Sequence, residues 1–146
     1  MRAINFAVII AVLLALPGCA LFRSEPPSFV AENFHDDTGQ LANYIATLVA
    51  EFSPKPDQLR LPEAPDNSAM KALADQLPSQ FAKHGVKVAP DDNENAPRLH
   101  YIITPFNGGL LLRVRVSSAR AALILQRRSG GVLQPATPLV LRKAAP

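Results

Sequence analysis

The chain's only thiol, Cys19, is the residue whose type and position most directly specify a reaction. It stands where an apolar leader ends, at Leu16-Pro17-Gly18-Cys19. A lone cysteine in an exported chain also suits a free thiol or an intermolecular disulfide. Catalysis would need a folded surround, which nothing next to Cys19 supplies. The other reactive residue types are scattered. His35, His84 and His100 are isolated and lack metal-ligand spacing. No serine has the context of a nucleophile elbow. Gly108-Gly109 and Gly130-Gly131 sit in hairpin signals rather than in a phosphate-binding loop between strand and helix. The acidic run Asp91-Asp92-Asn93-Glu94-Asn95 lacks the alternating ligands, glycine and distal glutamate of a calcium loop. Paired carboxylates fall in loops and at a helix start, where capping accounts for them. The expectation is a protein that is not an enzyme and uses no metal or cofactor.

The leader explains why Cys19 matters. Met1-Arg2 is a minimal positive start, and Ala3 to Leu16 is apolar except for Asn5, the layout of a secretory signal peptide. A bilayer-spanning helix needs about 20 apolar residues, and this run stops sooner, at Pro17-Gly18. Leucine at −3, glycine at −1 and cysteine at +1 resemble the bacterial lipobox. The resemblance implies cleavage between Gly18 and Cys19, a diacylglycerol on the thiol and an acylated new amino terminus. An ordinary cleaved secretory protein and an uncleaved anchor are the other readings of the same leader. One acyl chain binds a membrane marginally, at about 0.8 kcal/mol per buried methylene, whereas several chains hold firmly. Ala20 at +2 differs from the aspartate that, in enteric lipoproteins, retains a protein at the inner membrane. The expected location is therefore the periplasmic face of the outer membrane.

Residues 19–146 are 128 residues, enough for one domain with a modest core. With no tryptophan and no second cysteine, that core must be aliphatic and unstapled. Charge is divided unevenly. All twelve acidic residues lie between Glu25 and Glu94, whereas from Arg98 onward there are eight lysines and arginines and no Asp or Glu. Such a chain can match its own halves, an acidic protein or anionic headgroups. Nucleic acid is not expected, because Tyr101 and Phe106 are the only aromatic residues in the basic half.

The elements that position these residues follow from periodicity. Residues 19–35, with Pro26-Pro27, read as a lipidated, flexible tether, interrupted by Phe29, Val30 and Phe34, for which docking on the domain or on a partner is the other reading. Residues 36–143 read as a single domain. Asp36-Asp37-Thr38 offers cap residues ahead of Leu41, Tyr44, Ile45, Leu48, Val49 and Phe52, one apolar face of a helix that Pro54 and Pro56 end. Gln58 to Leu61 reads as an edge strand. Met70, Leu73, Leu77 and Phe81 form a second helical stripe closed by Gly85, with a kink or break expected near Leu77 because Pro78 follows it. Short strands are expected at Val86 to Val88 and Leu99 to Thr104, then a hairpin at Asn107-Gly108-Gly109. Leu110 to Val116 alternates Leu112, Val114 and Val116 with Arg113 and Arg115, the pattern of a half-buried strand. Arg120 to Arg127 is more continuously apolar, and Pro135 and Pro138 put the last strands at an edge or a bulge. Helices followed by strands predict an α+β fold, a mostly antiparallel sheet with two amphipathic helices on one face. Arg113, Arg115 and Arg127 are candidate partner-contact residues, expected to share the polar face.

A set of short segments together resembles the TrbH family of conjugative-transfer, mating-pair-formation lipoproteins. They are the lipobox leader, the tyrosine-bearing helix, Leu59-Arg60-Leu61, Gly85-Val86-Lys87-Val88 and Leu99-His100-Tyr101-Ile102-Ile103. Leu112-Arg113-Val114-Arg115-Val116, Ala119-Arg120-Ala121, Gly131 to Ala136 and Leu141-Arg142 complete it. The resemblance spans residues 29–143. It implies a structural or assembly component of a type IV secretion apparatus, with other channel subunits as partners and further copies of the chain in a ring complex. A general envelope lipoprotein, acting as assembly factor or pilot for another secretion channel, would share the anchor and fold. A small-ligand-binding lipoprotein is a further alternative.

Overall fold

In the computed structural model, residues 27–63 and 67–143 are described, so the leader, Gly18 and Cys19 lie outside the described residues. The largest feature is a six-stranded sheet: β1 (Phe29–Val30), β4 (Leu99–Phe106), β5 (Gly109–Val116), β6 (Ala119–Arg127), and then β7 (Leu133–Pro135) and β8 (Val140–Lys143), which both pair with β6. Only β1 is parallel to its neighbour; all other pairings in this sheet are antiparallel. A second, two-stranded parallel sheet joins β2 (Gln58–Leu59) to β3 (Lys87–Val88). The helices are α1 (Thr38–Ala50) and α2 (Ser68–Lys83), and a 3-10 turn spans Glu32–Asp37. The architecture is α+β, as the order of apolar periods predicts.

The three long strands form one meander. The β4–β5 turn is the two residues Asn107-Gly108, both at positive φ, the geometry that makes Asn-Gly the preferred two-residue hairpin. Between β5 and β6 the turn is Ser117-Ser118, where Ser117 takes φ 53° despite carrying a side chain. Side chains alternate across each strand. Leu99, Tyr101 and Ile103, then Leu110, Leu112, Val114 and Val116, then Ala121, Leu123 and Leu125 are buried in one core with Leu41, Ile45, Val49, Leu73, Leu77 and Phe81 from the helices. Burial in this core pushes the Tyr101 phenol up to about 12.

Two expectations change. Of the kink or break expected near Leu77, the break does not occur: α2 runs through Pro78. Leu73, Leu77 and Phe81 are fully buried around it while Pro78 is exposed, so core packing outweighs one lost hydrogen bond. Past its end, Gly85 at φ 70° lets the Val86 amide reach the Phe81 carbonyl and the Gly85 amide reach that of Ala82, a Schellman closure. The domain also begins before Asp36. Val30 and Phe34 are buried in the core, and Asn67 fastens this segment to α2: its carbonyl oxygen caps the Met70 amide at 2.8 Å while its amide nitrogen donates to the Val30 carbonyl at 2.9 Å. Glu32 adds bonds from the backbone amide and hydroxyl of Ser68. Residues assigned to the tether are thus part of the folded unit from β1 onward.

Candidate functional site

The helices cover one face of the sheet, among the described residues no element packs over the other, and strand register decides what that bare face carries. Arg113 and Arg115 alternate with the buried residues of β5 and therefore point away from the core. The register β4–β5–β6–β8 sets His100, Arg115, Arg120 and Arg142 opposite one another in a single row. The next row on this face is Ile102, Arg113, Ala122 and Val140. Adjacent strands lie about 4.8 Å apart, so the first row is a ladder of cationic and titratable groups. No acidic side chain occurs on these strands. Between the rows lies a shallow groove of about 670 Å³ with Ala122 among its small residues and the arginines around it.

Arg127 does not join this face. It pairs in register with buried Leu133, and antiparallel partners share a face, so it lies on the helix side. There its guanidinium donates to the carboxylate of Asp37, a side chain only 2% exposed at the start of α1. That bond and the neighbouring negative charge raise the Arg127 pKa. Asp37, expected to cap a helix, makes no side-chain cap bond and serves this pair instead. Arg127 also donates to the Gly131 carbonyl at 3.1 Å. Two α1 side chains complete the clamp: Tyr44 Oη donates to the Leu133 carbonyl at 2.9 Å, and Gln40 accepts from the Leu133 amide at 2.8 Å. Arg127 is a structural residue that holds the β6–β7 loop on α1.

Of the three candidate contact arginines, the fold brings Arg113 and Arg115 together and adds Arg120, Arg142 and His100. The added residues were traceable in principle. Reading Ser117-Ser118 as a two-residue turn would have set Arg120 across from Arg115. Among the described residues, no group of three or more His, Cys, Asp or Glu could hold a metal ion. Among the same residues, no helix is long and apolar enough to cross a membrane. What the bare face can do chemically is bind anions and apolar surface together. Compared with protein-family models, curated proteins and solved structures, the chain has no match in any of the three.

Proposed function

We propose that the chain is a lipid-anchored structural component of a conjugative type IV secretion apparatus, held at the periplasmic face of the outer membrane through acylated Cys19. It works by placement and contact, with no catalytic residues. The observation that carries this reading is the lipobox cysteine standing ten residues ahead of Phe29, the first residue of β1, in a chain whose sheet keeps one face cationic. Ten residues span at most about 36 Å, so the domain would stay close to its membrane. The segments that resemble the TrbH family fall on elements that build this sheet: Leu99 to Ile103 in β4, Leu112 to Val116 in β5 and Ala119 to Ala121 in β6. In use, the acyl chains fix the height of the domain, and the bare side of the sheet meets a neighbouring channel subunit. Further copies of the chain repeat the contact around a ring.

Two measurements test the two halves of the proposal. Mass spectrometry of the mature amino terminus is expected to show Cys19 as residue one, carrying a diacylglycerol and an acylated amine. An intact leader or an unmodified start would end the anchoring half. A photo-crosslinking residue at Arg113, in cells that carry a conjugative secretion system, is expected to capture an outer-membrane channel subunit. Capture of unrelated envelope proteins alone would end the secretion half.

A further inference from the structure

We propose that β8 is a strand-addition edge that accepts an extended segment of a partner protein in which acidic and apolar residues alternate. The inference rests on the docking role proposed above, though not on acylation of Cys19 or on any particular apparatus. The sheet has two ends, and they are finished differently. At one end β1 is only two residues long, and the Val30 carbonyl is already taken by Asn67. At the other end β8 pairs with β6 on one side and, among the described residues, with no strand on the other. An edge of this kind presents unpaired amides and carbonyls in strand register, a template for another chain.

The side chains of that edge are apolar and exposed. Val140 is 49% exposed and Leu141 45%, with Leu139 beside them at 38%. The other large exposed hydrophobics among the described residues are Val132, Phe29 and Phe106. Leu141 pairs in register with Ala121 on the core-facing side of the sheet, yet it stays half open. Arg142 stands on the bare face, opposite Arg120. A strand added to β8 would place alternate side chains beside Leu141 on one face and beside Val140 and Arg142 on the other.

Charge selects the occupant. Pairing two copies of β8 would bring Arg142 of both chains to one seam, in a half of the sequence that has no Asp or Glu. Opposite charges across strands attract and like charges repel, so an acidic strand is favoured over a second copy. A lipid surface offers anionic groups but no ladder of backbone donors and acceptors to meet the edge. The complementary partner is an extended protein segment with carboxylates toward Arg142 and aliphatic side chains toward Leu141.

The test titrates the full chain, in non-ionic detergent, with a labelled octapeptide alternating glutamate and valine and with its lysine/valine counterpart. Anisotropy reports affinity, and amide hydrogen exchange reports the place of binding. The glutamate peptide is expected to bind, to slow exchange within residues 140–143 and to weaken as salt rises; the lysine peptide is expected not to bind. Arg142→Glu should weaken the glutamate peptide about tenfold and admit the lysine peptide, and Arg142→Gln should have a smaller effect than Arg142→Glu. Unchanged exchange in β4 and β5 certifies that each variant is folded. Equal binding of the two peptides, protection anywhere but β8, or full binding by Arg142→Glu would overturn the proposal. Self-association through β8 would overturn it in favour of a second copy. Displacement of the peptide by a water-soluble short-chain phosphatidylglycerol would overturn it in favour of lipid.

Discussion

Leu112 and Arg113 are neighbours on β5, and they end in different environments. Leu112 is fully buried under the helices, whereas Arg113 is exposed on the bare face. The same division holds along the meander, with Tyr101 inside and Ile102 outside on β4, and Ala121 inside and Ala122 outside on β6. One face is closed by packing and obeys the rules of a core. The other follows a different logic, with arginines in register and aliphatic residues left partly in water. Burial and exposure thus fall to alternate residues of the same strands, so a change on the outer face should have little effect on the packing of the inner one.

That division can be broken from the inside first. Leu112→Ala should cost about 3–4 kcal/mol of unfolding free energy in denaturant titration, since the site is fully buried, while Arg113→Ala should stay within about 0.5 kcal/mol. Comparable losses at the two positions would show that the faces are not independent. Alkali offers the second route. Tyr101 has its pKa raised by burial, so the folded state holds its proton more tightly than the unfolded state. Its contribution is complete below the unfolded value near 10 and is lost as pH rises through the folded value of about 12. Stability should fall over that window, and phenolate absorbance from Tyr101 should appear with unfolding and not before it.

A smaller effect is expected where the covered face is fastened to the amino-terminal segment. Asn67→Ala removes a helix cap and leaves the Val30 carbonyl without its donor, for a loss of about 1–2 kcal/mol. Hydrogen exchange should rise in β1 and the first turn of α2, and a uniform rise across the sheet would contradict the assignment. The smallest change is a gain. Ser117 holds a positive φ that glycine or asparagine adopts more readily, so Ser117→Gly should raise stability by about 0.5–1 kcal/mol in thermal unfolding. Ser117 and Ser118 do not line the groove between the rows, so peptide binding at β8 should not change.

Much of this fold was legible because its signals are local. The 3.6-residue period from Leu41 to Phe52, the prolines after it and the alternation of Leu112, Arg113, Val114 and Arg115 each belong to one element. What the sequence hid depends on register or on distance. Ala121-Ala122-Leu123-Ile124-Leu125 is apolar throughout, so nothing local told which parity of β6 faces the core, and Arg127 was assigned to the wrong side. Its partner Asp37 lies 90 residues away. The strand β1 is too short for any period, and its burial comes from Asn67, on an element nearly forty residues later. Pro78 was read by backbone rules alone, which carry no information on how firmly Leu77 and Phe81 are seated.

The short parallel pairing of β1 with β4 has a mechanical consequence. If the domain hangs from its amino end, any tension arrives at Phe29 and Val30 before it reaches the meander. Two residues of sheet, the Asn67 and Glu32 bonds and the buried side chains of Val30 and Phe34 resist that pull, so this segment yields before the longer pairings of the meander do. Its departure would uncover the backbone of Ile102 and Ile103 and so turn a sealed margin into a second site for strand exchange.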